Sequence, residues 1–239
     1  MSAQFENWID SRRGRAIRAA EATLLTESLD DCFGWELLQV GSWGEGRDLI
    51  QGARTRRATV ISGPGSQSAD IVSRLAQLPI LSDSVDAVVL PHTLEFEADP
   101  YAVLREADRV LTGEGKLLVL GFAPLSIWGL RSRLAREGFP PGQRRLLSER
   151  RLRDWLVLLG YEVDAPRRYL FDLPWGEPAL PTHMLRRSML NPLPAGAFLL
   201  KARKRVFALH ARRLKLREPA RVIGAIAKPA ANRHTRNHP

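Results

Sequence analysis

Between Val85 and Gly121 the apolar positions follow two different periods in turn. Val85 to Leu90 (VDAVVL) is a nearly continuous apolar run, the pattern of a strand buried on both faces. Asp99-Pro100 then reads as a helix start, with Asp as N-cap and Pro in the first helical position. Val103, Leu104, Ala107, Val110 and Leu111 recur at i, i+3, i+4 spacing and make one apolar helix face. Thr112-Gly113-Glu114-Gly115 ends that helix, and Lys116 to Gly121 (KLLVLG) is a second buried run. Two buried strands joined by one helix predict a right-handed βαβ unit in a parallel sheet. Such sheets hold ligands at the carboxyl ends of their strands. Here those ends are Pro91-His92-Thr93 and Gly121-Phe122-Ala123.

The remaining chain extends this α/β pattern. Residues 4–33 predict one or two helices, with Ile17, Ala20, Leu24, Leu25 and Leu29 near helical spacing. Trp35 to Val40 predicts a first strand, Gly41-Ser42-Trp43-Gly44-Glu45-Gly46-Arg47 a turn, and Asp48 to Ile50 the beginning of a helix. A strand, glycine turn and helix in that order let a backbone approach a nucleotide cofactor, because glycine has no Cβ in the way. Arg57 to Ser62 predicts the second strand, followed by the turn Gly63-Pro64-Gly65, and Asp70 is expected to cap or begin a helix. Ser148 caps a helix carrying Leu152, Trp155, Leu156 and Leu159, which Gly160 ends. Tyr161 to Val163 and Arg168 to Phe171 predict a sixth strand after a bend, residues 182–192 a short helix, and Ala197 to Phe207 the last strand.

Composition sharpens this in one respect. Of the chain's 239 residues 44% are apolar, enough for a substantial core in one large domain or one domain with appendages. No apolar run approaches the roughly 18–20 residues that cross a membrane, and MSAQFENWID lacks a basic segment followed by an apolar one. The single Cys32 excludes an internal disulfide and a cysteine metal cluster, and is read as a small buried apolar side chain. These features predict a reducing, cytoplasmic setting. No His, Cys, Asp or Glu set has metal-ligand spacing, His183 and His210 stand alone, and neither a G-x-S-x-G elbow nor a Walker A sequence occurs. The net charge of +10 is concentrated at one end: residues 196–239 hold twelve of the 36 Lys and Arg against Glu218 alone. Residues 209–239 therefore predict a basic, disordered tail, and residues 201–217 a region that could meet nucleic-acid phosphates.

Residues 76–115 also resemble the small class I methyltransferases that use S-adenosylmethionine, the group called type 11. That family reads roughly A-x-x-LPF, F-D-x-V, H-x-LEH, D-P, an amphipathic helix, then L-x-P-G-G. This chain has Ala76-Gln77-Leu78-Pro79-Ile80, Val85-Asp86-Ala87-Val88, His92-Thr93-Leu94-Glu95-Phe96, Asp99-Pro100 and Leu111-Thr112-Gly113-Glu114-Gly115. The resemblance implies a doubly wound, mostly parallel seven-stranded Rossmann-like sheet with an antiparallel edge strand. It implies a helical segment over residues 1–34, a methyltransferase-like domain over 35–208 with a lid near 122–147, and the tail beyond. It further implies S-adenosylmethionine as cofactor, held around Gln39, Gly41, Trp43, Gly44, Gly46, Leu78, Pro79, Pro91 and His92. Ser126 and Trp128, just past a strand end, are the substrate-side candidates. His92 is the one local candidate for a general base, against its structural use in the family.

The chain departs from the family where the cofactor's charged contacts belong. Gln39 stands in place of the acid that ends the first strand, and a one-residue insertion around Trp43 brings Gly41, Gly44 and Gly46 into the family's glycine pattern. Ile61, Ser62 and Gly63 stand where a carboxylate takes the ribose hydroxyls, and Ser73, Arg74 and Leu75 where an Asp meets the adenine. Each missing charge-assisted hydrogen bond is worth about 1–3 kcal/mol. Two functions follow as alternatives: a methyltransferase acting on a small molecule or a protein, using backbone groups and side chains such as Trp43 and Gln39, or a non-catalytic relative with a binding or regulatory role.

Overall fold

The strands place their carboxyl ends at one level, and everything else is packed around that. The structure, a computed structural model, describes residues 3–66, 68–185 and 194–205. Two helices come first, α1 (Ala3–Ile9) and α2 (Arg12–Leu29), the second capped by Ser11. Five parallel strands follow: β1 (Phe33–Val40), β2 (Arg54–Ser62), β3 (Ile71–Val72), β4 (Val85–Pro91) and β5 (Leu111–Phe122). Between β4 and β5 lie the single turn α3 (Thr93–Phe96) and α4 (Pro100–Val110). After β5 come α5 (Ile127–Leu134), α6 (Glu149–Leu158), β6 (Tyr161–Val163), β7 (Arg167–Tyr169), α7 (Pro181–Met184) and β8 (Ala197–Lys204).

The sheet order is β3-β2-β1-β4-β5-β8-β6, with β7 also paired to β8. The pairs Val40 with Ile61, Gln39 with Val89, and Pro91 with Leu120 align the strand ends that will form the site. One sheet face, carrying Leu37, Val60, Val89 and Leu118, packs under the Ile17, Leu24, Leu25 and Leu29 stripe of α2. The other, carrying Leu38, Val88, Leu90 and Val119, packs under Val103, Leu104 and Ala107 of α4 and Leu152 and Leu156 of α6. The predicted βαβ unit and the Asp99 and Ser148 caps are present: the Asp99 carboxylate accepts from Ala102 N and the Ser148 hydroxyl from Arg151 N.

Several expectations need correction. The antiparallel strand β8 is not at the edge, because β6 and β7 both pair beyond it. The sixth strand is split by its bend, which makes the described sheet eight-stranded rather than seven-stranded. No full helix follows the glycine turn: Asp48–Ile50 is a single 3-10 turn. The connection is short, and Gly52 lies so close to α2 that a Cβ there would be 2.5 Å from Thr26. Nor does Asp70 begin a helix. Its carboxylate instead accepts from Val60 N at 2.8 Å and pairs with Arg47 at 2.8 Å, closing the β2–β3 turn. With both connections shortened, α2 covers the inner part of that face with only Leu49 and Ile50 from the β1–β2 connection beside it, and Phe33 and Trp35 at the start of β1 stay 66% exposed. Of the helix predicted for 182–192, α7 supplies the beginning. Residues 186–193, the end of the predicted last strand, His210 and the basic tail lie outside the described residues. No described helix is long and apolar enough to cross a membrane.

Candidate cofactor cleft

A cleft of about 380 Å³ opens at the carboxyl ends of β1, β2 and β4. Gly41 and Ser42 line it from the end of β1, Ser62 and Gly63 from the end of β2, and Pro91 and Thr93 from the end of β4. Phe5 of α1 and Phe96 of α3 close one side, with ring centroids 5.2 Å apart in an edge-to-face contact. Leu75 lines it too, as do two charged side chains, Glu97 and Arg144. Burial pushes the Glu97 carboxyl above its ordinary value, and the nearby Arg144 charge opposes that.

The absence of a side chain at Gly41 is required. Its φ is +98°, and a Cβ would sit 2.2 Å from Thr93 Oγ1. Thr93 Oγ1 in turn donates to Val40 O at 2.5 Å, so the ends of β1 and β4 are locked together at the cleft floor. Gln39 is buried beside them. Its Nε2 donates to Gly41 O at 3.0 Å, while its Oε1 is a buried acceptor without a hydrogen-bond partner among the described residues.

Behind the cleft wall lies a buried polar cluster. His92, in the left-handed region at φ +55°, begins α3. Its Nε2 lies 2.8 Å from Glu21 Oε1, and its Nδ1 lies 3.4 Å from Glu95 Oε2. Glu21 also accepts from Tyr169 Oη at 2.8 Å and Trp43 Nε1 at 2.5 Å. Glu95 accepts from Phe122 N at 2.5 Å and Gln143 Nε2 at 2.9 Å, and its backbone carbonyl accepts from Arg144 N and Arg145 N. The His92 ring lies between Trp43 and Phe122, with both centroid separations 4.2 Å. Burial alone would lower the His92 pKa, but the Glu21 charge and the hydrogen bonds to Glu21 and Glu95 outweigh it and raise the value to about 9. Burial pushes Glu95 and Tyr169 up as well.

The predicted residues thus divide. Gly41 and Pro91 line the cleft; Gln39, Trp43 and His92 form the packed layer behind it. Gly44 lies against Arg18 and lines a neighbouring depression with Ser42, Ser66 and Ser68, while a Cβ on Gly46 would meet nothing. Leu78 is tied down beneath α4, its N–H bonded to Glu106 and its carbonyl to Arg109, with the exposed Pro79 next to it. Ser126 caps α5 through Gly129 N, and Trp128 is buried with Nε1 donating to Asp172 O at 2.8 Å. Sequence reasoning placed Thr93 at a ligand-bearing strand end but missed Glu21, Tyr169, Phe5, Glu97 and Arg144. Glu21 had a signal: a carboxylate inside the Ile17, Ala20, Leu24, Leu25 stripe faces the core and needs partners there.

An adenosyl ligand is testable against this geometry. The cleft's position and the bare Gly41 and Gly63 backbone fit one; no carboxylate ends β1 or β2 to receive its ammonium or ribose.

The profile of a family described as "Methyltransferase domain" matches residues 48–119, beginning just past the altered glycine turn. The uncharacterized protein YafS of Escherichia coli is 34% identical over 172 residues, which is 71% of this chain and 70% of YafS. Among solved structures, a Thermotoga maritima S-adenosylmethionine-dependent methyltransferase, described as a "possible histamine N-methyltransferase", aligns with a TM-score of 0.61 at 20% identity, covering 84% of this chain and 95% of that one. An S-adenosylmethionine-dependent methyltransferase of Archaeoglobus fulgidus aligns with a TM-score of 0.57 at 14% identity, covering 83% and 99%. Motif order, strand order and these likenesses agree, and the chain belongs to the type 11 family of class I S-adenosylmethionine-dependent methyltransferases.

Proposed function

We propose that this chain transfers a methyl group from S-adenosylmethionine, bound in the cleft at the ends of β1, β2 and β4, to a small-molecule or protein acceptor. The observation that carries the reading is the cleft itself, held open at the strand ends by the Gly41–Thr93–Val40 lock. The bound cofactor supplies an electrophilic methyl group, so the protein's task is approach and orientation. Gly41, Ser62, Gly63, Leu75, Pro91 and Thr93 form the walls that would hold the nucleoside. Phe5 and Phe96 exclude water from one side. Glu97, a cleft-lining carboxyl with a raised pKa, is placed to take up a proton from an acceptor. His92, sealed behind Trp43 and Phe122, keeps the strand-end loop in place.

Calorimetric titration with S-adenosylmethionine and S-adenosylhomocysteine tests the reading. Binding in the micromolar range is expected, and it should disappear in Gly63→Trp, where the new Cβ meets no atom within 4 Å and the indole fills cleft space without disturbing the core. Ser62→Asp, which returns a carboxylate to the end of β2, is expected to tighten S-adenosylhomocysteine binding about tenfold. A second reading, a non-catalytic relative, is favoured by the missing carboxylates at β1 and β2. No heat at millimolar cofactor from a folded sample would establish it and end the first.

A further inference from the structure

At the opposite end of the sheet from the cleft, β1 begins with Phe33 and Trp35, each 66% exposed. They alternate with Gly34, so both side chains stand on one face, on the order of 7 Å apart. The parallel partner β2 supplies an arginine against each ring: the Arg54 guanidinium lies 5.6 Å from the Phe33 centroid and Arg56 4.8 Å from Trp35. Arg54 is also paired to Asp30, whereas Arg56 has no carboxylate partner among the described residues. The rings are bare because the β1–β2 connection forms no helix and α2, which packs on Leu37 of the same face, leaves the end at Phe33 and Trp35 uncovered.

We propose that this face binds single-stranded nucleic acid, with unpaired bases stacked on Phe33 and Trp35 and the backbone phosphates drawn to Arg54 and Arg56. Aromatic rings at alternate positions of a sheet, flanked by cations, suit unpaired bases and not a duplex, whose bases are already stacked. Charge also argues against this chain's own C-terminal segment as the occupant, since residues 206–239 carry eight Lys and Arg against Glu218. The proposal is independent of methyl transfer and of cofactor binding.

Fluorescence anisotropy of the full chain with a labelled oligo-uridine, at low and at physiological salt, tests it. Salt-sensitive binding is expected. The Phe33→Ala, Trp35→Ala double variant should weaken it about a hundredfold, about tenfold for each ring, with an unchanged circular dichroism spectrum and melting temperature. Arg56→Glu should weaken binding and flatten its salt dependence, and a duplex of equal length should bind less tightly. Absence of binding at low salt overturns the proposal. So does wild-type affinity in the double variant, which would leave the basic segment as the binder. So does a dimer that the double variant dissociates, which would make this face a contact between copies of the chain.

Discussion

Replacing Glu21 with alanine is expected to lower the unfolding free energy by about 4 kcal/mol, with a fall in melting temperature of roughly 10 °C. The side chain is fully buried and accepts from three donors on three different parts of the chain: Trp43 Nε1, His92 Nε2 and Tyr169 Oη. Removing it leaves a buried imidazolium without its nearest negative charge and two neutral donors without acceptors, and the space is too enclosed for water to replace all three bonds. Glu21→Gln keeps the volume and one acceptor oxygen, so it should cost less, by removing the charge but retaining part of the network. Urea unfolding of both variants measures this. A cost below about 1 kcal/mol for the alanine variant would mean that the cluster is not the keystone of the strand-end loop.

The second large effect is a loss of stability as the solution becomes alkaline. His92 is raised from its ordinary 6.5 to about 9 in the folded protein. Below about pH 6.5 both states hold the proton and the Glu21–His92 pairing contributes in full. Above that the unfolded chain releases its proton first, and the contribution is lost as pH rises through about 9. The unfolding free energy should therefore fall across this window by on the order of 3 kcal/mol. Glu95 and Glu97, both pushed up by burial, work in the same direction from their ordinary 4.5 upward. The lowered carboxyls Asp31, Asp70 and Glu106, each held down by a hydrogen-bonded Lys or Arg, act only in acid. His92→Gln should flatten the alkaline limb. A wild-type curve that is level from pH 6.5 to 9, or one that His92→Gln leaves unchanged, would sink the assignment.

Much of the fold was legible because its strands are buried on both faces and announce themselves as apolar runs. Val85 to Leu90 and Lys116 to Gly121 lie where the pattern put them, and Asp99 caps its helix as its sequence context demands. The β1–β2 connection was less legible. Gly41 to Ile50 carries the local signals of a nucleotide-binding turn, but whether a helix follows depends on how much of the sheet α2 already covers, which is a tertiary fact. The site was legible only at its floor. Gly41 and Pro91 are fixed by local backbone geometry, whereas Phe5, Glu97 and Arg144 reach the cleft from three separate segments with no common motif. Trp43 drew attention as an oddity among glycines. Its role, capping the His92 ring and donating to Glu21, depends on a partner 22 residues upstream in a helix that reads as ordinary core.

That long-range pairing bears on how the chain is made. Glu21 leaves the ribosome 71 residues ahead of His92 and 148 residues ahead of Tyr169. At the usual pace of synthesis the interval to Tyr169 is on the order of ten seconds. Trp43 and His92 become available to the Glu21 carboxylate within that interval, but the set of three partners is complete only with Tyr169. This early helix, made before any strand, is thus among the last elements to be fully locked, and its exposed apolar stripe offers chaperones a binding segment until the seventh strand has emerged.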